Sequence, residues 1–314
     1  MTTTHHDEPS ATLDPPRVEE VSEGVFAYIQ PDGSWFVNNT GFLVGRTGVV
    51  SIDACSTERR TRSYLDAIRG VTDRPVRTLV NTHHHGDHTY GNTFLRPAAV
   101  LGHQLCREEI IAGGGPSYGG TFGDVEWGAV EIEPPFITFS EAVNVYVDDL
   151  EVELRYIGGP AHTTNDVVAW IPERRVLYAG DLVFNGGMPF VVMGSVSGSL
   201  VALDRLGQLG AERIVPGHGD VCGTELFDYL EGYFRFVQDT AARGKEAGLS
   251  PLELARETDL GQYGELLDAE RIVGNLHRAY AELDGAAPGA PIDVPKAITD
   301  MVAFNGGAPL RCVA

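Results

Sequence analysis

The stretch NTHHHGDHTYGN, residues 81–92, sets four histidines and an aspartate within six residues, directly after an apolar run. Imidazole nitrogen and carboxylate oxygen are the ligands a zinc ion takes when no thiolate is offered. Read as H-x-H-x-D-H, the stretch alternates His83 and His85, which can point the same way as a strand ends. Asp87 and His88 then reach a neighbouring spot beyond a turn. Gly86 is expected to permit that turn, and His84 to face away. Four ligands cannot fill two metal sites, so more must lie downstream. They do, each at the end of an expected strand: His162 in YIGGPAHTTND, Asp181 in VLYAGDLVF and His218 in IVPGHGD. One such histidine alone would read as an ordinary core or surface residue; the joint pattern is what points to a metal site.

The assignment that follows gives one metal His83, His85 and His162, and the other Asp87, His88 and His218. Asp181 bridges them. Two ions about 3.5–4 Å apart lower the pKa of a shared water and clamp both oxygens of a displacement, so Asp87 and Asp181 are also the expected catalytic carboxylates. Two zinc ions are the expected cofactors, though iron or manganese suits His/Asp ligands as well.

The elements that must position these residues are legible as short strands and helices. GVFAYIQ, TGFLVGRTGVVSID, VRTLVNT and AAVLGH read as strands in the first half, with a helix over STERRTRSYLDAIRG capped by Ser56 or Thr57 and ended by Gly70. A helix over QLCREEIIA precedes a Gly-rich loop at 113–128, and strands FITF, AVNVYVD, LEVELRYIG, DVVAWIP and RVLYAG follow. A helix near GSLVALDRLGQLG and the strand RIVP come next, and from about 223 to 283 the chain is helical and amphipathic. SPLELARE opens as a capped helix, with Glu253 three residues after Ser250. The pattern is an α/β class sandwich of two packed sheets with helices outside. The expected organisation is a disordered segment 1–17, a metal-bearing domain 18–222 and a helical extension 223–314 packed on it.

Composition sets the bounds. The 314 residues are 43% hydrophobic, and 44 acidic against 23 basic residues give a net charge of −21. Such a field repels nucleic acid and anionic membranes, and neither is an expected partner. No basic-then-apolar leader opens the sequence and no apolar run reaches spanning length. Cys55, Cys106, Cys222 and Cys312 show no paired spacing, which reads as a cytoplasmic protein with free thiols.

H-x-H-x-D-H together with the His162, Asp181 and His218 segments resembles the metallo-β-lactamase superfamily, over about residues 20 to 222. That resemblance implies an αββα sandwich with the metals at one edge of the sheets. A narrower likeness runs over nearly the whole chain. WFVNNTGFLVG, DVEWGAVEIEPP, PAHTTNDVVAWIP, PFVVMGSVSGSL, LDAERIVGNLHRAYAEL and VAFNGGAPLRCVA look like the second-ring cyclases of aromatic type II polyketide pathways, the actinorhodin kind. It implies an enzyme that closes a second carbocycle by aldol condensation, then cleaves the thioester to release a bicyclic acid. Its partners would be an aromatic polyketide thioester and an acyl carrier protein. A homodimer is compatible with the sequence.

Candidate substrate contacts are Trp35 and Asn38 in an early hairpin-like segment, Tyr118, Phe122 and Trp127 in the Gly-rich loop, and Phe184, Phe190 and Met193 after the bridging aspartate. Ser195 could bond substrate carbonyls or cap the helix beginning near Leu200. Rival readings are a glyoxalase II-like thioesterase, a lactonase, and a non-catalytic carrier-protein-binding scaffold. The ligand-bearing loops are poor in the Lys and Arg that glutathione carboxylates would want. Phe184 stands where quorum-signal lactonases usually carry Tyr. A true β-lactamase is disfavoured by the bridging Asp181.

Overall fold

The computed structural model describes residues 13–314. The paired His5 and His6 and most of the segment expected to be disordered lie outside those residues. Arg17, placed at the end of that segment, instead opens the first strand.

Alternation with period two builds both sheets. The first sheet runs β1 (Arg17–Ser22), β2 (Val25–Ile29), β3 (Thr40–Val44), β4 (Val49–Ile52), β5 (Val76–Val80), β6 (Ala99–His103) and β7 (Ile137–Phe139), in that spatial order. The β1–β4 pairs are antiparallel and the β4–β7 pairs parallel. Helix α1 (Glu58–Val71) makes the β4 to β5 crossover, α2 (Gly86–Thr89) is a single turn after β5, and α3 (Gln104–Gly113) follows β6. The second sheet holds β8 (Ala142–Val147), β9 (Leu150–Tyr156), β10 (Val167–Ile171), β11 (Val176–Phe184) and β12 (Arg213–His218), with only β11 and β12 parallel. Helix α4 (Val196–Leu209) joins those two. Then come α5 (Glu225–Ala247), α6 (Pro251–Glu257), α7 (Arg271–Leu283) and α8 (Val294–Phe304).

The two faces of each strand separate cleanly. Val25, Ala27 and Ile29 of β2 meet Val167, Ala169 and Ile171 of β10 in the layer between the sheets. The intervening Tyr28 packs outward with Phe42, Tyr64 and Ile68 under α1. On the other side Val168, Trp170, Leu177 and Ala179 face the α4, α5 and α7 residues. Each branched side chain buried this way contributes about 1.5–3 kcal/mol. The result is an αββα sandwich, and the C-terminal helices share its outer core with Val168 and Leu177 instead of forming a core of their own.

Local chemistry decides several boundaries. Thr57 is the α1 cap, its hydroxyl accepting from the Arg60 amide, and the helix runs past Gly70 to Val71. Gly113 ends α3, so the irregular Gly-rich segment begins one residue later than expected. Ser195 caps α4, which starts at Val196 and so earlier than Leu200. Ser250 and Glu253 form the reciprocal capping box of α6. β11 does not stop at Gly180 but continues to Phe184, with register shifts against β12 on both sides of Gly180. Asp181 is therefore inside a strand, at an irregularity that re-aims its side chain.

Candidate metal centre

The strand ends β5, β11 and β12 and the β9–β10 and β5–α2 loops converge at one edge of the sandwich. There the ligand-type atoms fall into two groups, each with all its atoms within 4.8 Å of one another: His83, His85, His162 and Asp181, and Asp87, His88, His218 and Asp181. Asp181 is the member common to both. Its Oδ2 lies 3.3 Å from His162 Nε2 and 3.4 Å from His218 Nε2, and its Oδ1 lies 3.0 Å from His88 Nε2. Asp87 Oδ2 stands 3.2 Å from His218 Nε2. His85 turns its Nδ1 toward His162 Nε2, 2.8 Å away.

The outer nitrogens fix how the inner ones point. His88 Nδ1 meets Asp53 Oδ2 at 2.8 Å, His162 Nδ1 the Phe190 carbonyl at 2.5 Å, and His218 Nδ1 the Gly33 carbonyl at 3.0 Å. These oxygens only accept, so each ring carries its proton at Nδ1 and leaves an Nε2 lone pair facing the cluster. His83 Nδ1 lies 3.0 Å from Thr82 Oγ1, which itself donates to Asp53 Oδ2 and so can accept from the imidazole. The inner atoms His83 Nε2, His88 Nε2 and Asp181 Oδ1 are buried without a hydrogen-bond partner. Buried polar atoms are rarely left so, and several at one point fit a missing cation. The residues therefore suit a dinuclear His/Asp site.

Electrostatics agree. Burial pushes His83 and His85 well below the ordinary imidazole range, which keeps them neutral as ligands must be. Burial opposes charge at His88 too, but Asp181, Asp53 and Asp87 outweigh it and raise that ring well above its ordinary value. Asp181 is buried, yet His218, His88 and His162 hold its carboxyl well below the usual range. The carboxylates thus call for positive charge at this point. His84 lies outside both groups: its Nδ1 meets the Asn165 amide at 3.0 Å.

Gly86 serves by proximity and not by a left-handed turn. It opens α2 without a positive φ, and a Cβ there would overlap the Tyr90 ring. Gly217 is tighter still, since its Cβ would overlap Asp181 Oδ1.

A cavity of about 620 Å³ opens over the clusters and reaches His85, Asp87, His162, Asp181 and His218. Its walls include Trp35, Tyr118, Phe122, Phe184, Phe190 and Met193, all singled out from the sequence. Phe184 stacks on His218 at 5.0 Å with the planes 8° apart. Three of the expected contacts stand elsewhere. Asn38 is fully buried, donating to the Ala54 carbonyl and accepting from Arg60. Trp127 packs outside the cavity on Phe36, Tyr118 and Tyr90. Ser195 is used as the α4 cap and by Glu282. Each of the three has its polar or aromatic surface committed to the scaffold.

Sequence reasoning missed Asp53, Phe36, Arg271 and the α8 residues Val294, Pro295, Ile298 and Thr299. Asp53 had a signal, an acid directly after the VVSI strand, whose one polar residue is Ser51. It accepts from the Thr82 amide as well as from Thr82 Oγ1 and His88, and it adopts φ +60. The α8 residues had none, because their place over the cavity comes from tertiary packing. The tail beyond α8 closes this side: the Leu310 amide donates to Thr121, and Arg311 pairs with Asp32 at 2.8 Å. No helix among the described residues is long and apolar enough to cross a membrane, and all four cysteines are free.

Comparison with known proteins agrees with this geometry. Residues 33–218 match the sequence profile described as "Metallo-beta-lactamase superfamily". The α subunit of 2,4-dinitroanisole O-demethylase from a Nocardioides species is 32% identical over 218 residues, 67% of this chain and 58% of that protein. A hydroxyacylglutathione hydrolase of Rhodospirillum rubrum is 31% identical over 147 residues, 47% of each. The match therefore spans about half the length of these relatives. Among solved structures, a metallo-β-lactamase from Pontibacter korlensis superposes with a TM-score of 0.59 at 19% identity, covering 70% of this chain and 99% of its own.

Proposed function

Because this chain belongs to the metallo-β-lactamase superfamily, we propose that it is a dinuclear metal-dependent thioesterase that also closes a second ring on an aromatic polyketide thioester. The observation that carries the reading is the placement of two His/Asp clusters, sharing Asp181, on the floor of an aromatic-walled cavity. Two divalent ions held by those residues would supply Lewis acidity and a more acidic water.

The chain's own residues do the rest. Trp35, Phe122, Phe184 and Phe190 offer flat apolar surface that suits a planar substrate and excludes bulk water. Asp87 lines the cavity and is the carboxylate placed to take a proton from the attacking water, or from the acidic methylene of a 1,3-dicarbonyl. In hydrolysis the water oxygen bonds the thioester carbon, the C–S bond breaks and the thiolate leaves, so no strong general acid is needed. In ring closure the walls bring the two carbons together, which can supply much of the acceleration. By its name the demethylase relative acts on a flat aromatic molecule, 2,4-dinitroanisole, and such a substrate would suit the same walls.

A second reading is a glyoxalase II-like thioesterase, favoured by the hydroxyacylglutathione hydrolase relative. The cavity offers glutathione's carboxylates a single guanidinium, Arg271. We further infer an acyl carrier protein as the donor of substrate and a cytoplasmic setting, and leave a homodimer open to a sizing measurement. Mass spectrometry after giving the metal-loaded protein a monocyclic β-ketoacyl thioester mimic tests the reading. A bicyclic acid lacking the thiol is expected. Hydrolysis without ring closure, with equal turnover of unrelated thioesters, would reduce the function to a general metallo-thioesterase.

A further inference from the structure

Apart from the candidate ligands, the cavity has few polar side chains. Arg271 stands over Trp35, its Cζ 3.9 Å from the ring centre, and its guanidinium already faces the buried Asp268 carboxylate at 2.8 Å. Tyr118 is different. It comes from the irregular segment between α3 and β7, and aromatic neighbours fix its ring: edge-on to Phe36 at 5.0 Å and to Phe122 at 5.4 Å, and tilted on Trp127 at 5.4 Å. Its hydroxyl lies 2.7 Å from that of Tyr90. The Tyr90 ring in turn packs on Gly86, where a Cβ would overlap Tyr90 Cζ. Gly86 and Asp87 both line the cavity. The paired hydroxyls are therefore at the end of the cavity that carries the candidate ligands.

A proton count decides how the pair is arranged. Two phenols carry two protons, and the contact between them uses one. Among the described residues neither oxygen has a second hydrogen-bond partner. Were Tyr118 the donor, the spare proton would belong to Tyr90, which is buried and does not line the cavity. A buried donor left open is costly. With Tyr90 as the donor, the spare proton belongs to Tyr118, which does line the cavity and can give it to whatever enters. The second arrangement is the cheaper one. Burial, with Tyr90 beside it, also pushes the Tyr118 phenol far above its ordinary value, so the group stays protonated.

We propose that Tyr118 is a catalytic residue that donates a hydrogen bond to a carbonyl oxygen of a flat substrate, and that Tyr90 is the positioning residue that aims it. The inference rests on the reading of this cavity as the substrate site. No proton changes hands: the phenol keeps its O–H bond. The hydrogen bond strengthens as the carbonyl oxygen takes on charge, when water bonds the thioester carbon or when a 1,3-dicarbonyl methylene loses its proton. A donor already held by packed rings needs no reorganisation at that moment.

Fluorescence titration of the metal-loaded full chain with 2-acetylnaphthalene and with 2-isopropenylnaphthalene tests this without turnover. The second probe has the same shape, with CH2 in place of the carbonyl oxygen. The readout is the ratio of the two affinities, in which packing on the aromatic walls cancels. Tyr118→Phe should lower the ketone-to-alkene ratio about two- to tenfold from its wild-type value, the worth of one neutral hydrogen bond, and leave alkene binding in place. Tyr90→Phe should lower it less, because the Tyr118 proton survives and only its aim is lost. A ratio unchanged in Tyr118→Phe overturns the proposal and places the carbonyl elsewhere, the metal ions included. A ratio that rises in Tyr90→Phe overturns it too, since Tyr118 would then have been donating to Tyr90. Should Tyr118→Phe fail to fold, Tyr90→Phe decides: a fall supports the proposal, and no change or a rise overturns it. The ratio can respond in a protein that hydrolyses no thioester, and hydrolysis can persist where the ratio does not move, so the two readings fail separately.

Discussion

Replacing Asp53 by Asn should remove one metal ion and spare the other. The Asp53 carboxylate accepts three hydrogen bonds: Oδ1 from the Thr82 amide, and Oδ2 from Thr82 Oγ1 and His88 Nδ1, each at 2.8 Å. Asn has the same shape and tolerates the positive φ of this position, so the backbone should hold. Keeping its oxygen on the Thr82 amide turns the NH2 group toward His88 Nδ1. The imidazole must then accept at Nδ1 and carry its proton at Nε2, the atom facing the second cluster. Restoring the ligand tautomer would set donor against donor, a cost of about 1–3 kcal/mol. Outer-shell changes of this kind cost about 10–100-fold in metal affinity, the same range at about 1.4 kcal/mol per decade. His83 is buffered by Thr82 Oγ1, which can rotate, so the cluster with His85 and His162 should keep its ion. Competition with a chelator, followed by elemental analysis, should show the variant losing one ion about 10–100-fold more readily while its metal-free unfolding midpoint stays near wild type. Two ions held as tightly as in the wild type would refute the tautomer argument. Equal weakening of both ions would mean that Asp53 acts through the fold.

Gly217→Ala should abolish binding of both ions, because the added Cβ overlaps Oδ1 of Asp181, the residue common to both clusters; elemental analysis of the purified variant checks this. His84→Ala should leave the metal count unchanged, since His84 bonds Asn165 and joins neither cluster; a lost ion would show that it reaches the site. Arg60→Met should cost about 3 kcal/mol or more in urea unfolding, because it strips the Asn38 carbonyl and Asn38 Oδ1 of their buried donor and leaves the Phe36 carbonyl with the Ser56 hydroxyl alone. Thr57→Ala should cost about 1 kcal/mol through the lost α1 cap, with the metal count intact.

The residues explain why some of this was legible in sequence and some was not. His83, His85, Asp87 and His88 crowd into one local motif, and His162 and His218 close apolar runs, so type and spacing suffice to propose them. Asp181 is read as following a strand but lies inside β11, because the irregularity at Gly180 depends on pairing with β12, which a linear pattern does not carry. The strand faces follow from period two, and the caps at Ser195 and Ser250 from short-range hydrogen bonding. Asn38 and Ser195 are polar residues near the right segments, and only the tertiary partners Arg60 and Glu282 show that their bonds are already spent. Arg271 sits in an amphipathic helix where an arginine ordinarily faces water. Its place over Trp35 comes from how α7 docks on the sandwich.

Metal stoichiometry, measured by elemental analysis on the full chain and on Asp181→Ala, tests the shared dinuclear centre most directly when the same samples are assayed for hydrolysis of a simple aryl thioester. The expected result is two ions per chain in the wild type, fewer than one in the variant, and turnover that falls with the ions and is lost to a chelator. Full thioester turnover by a variant that still holds two ions would remove Asp181 from the centre, and turnover untouched by complete metal removal would contradict the account altogether.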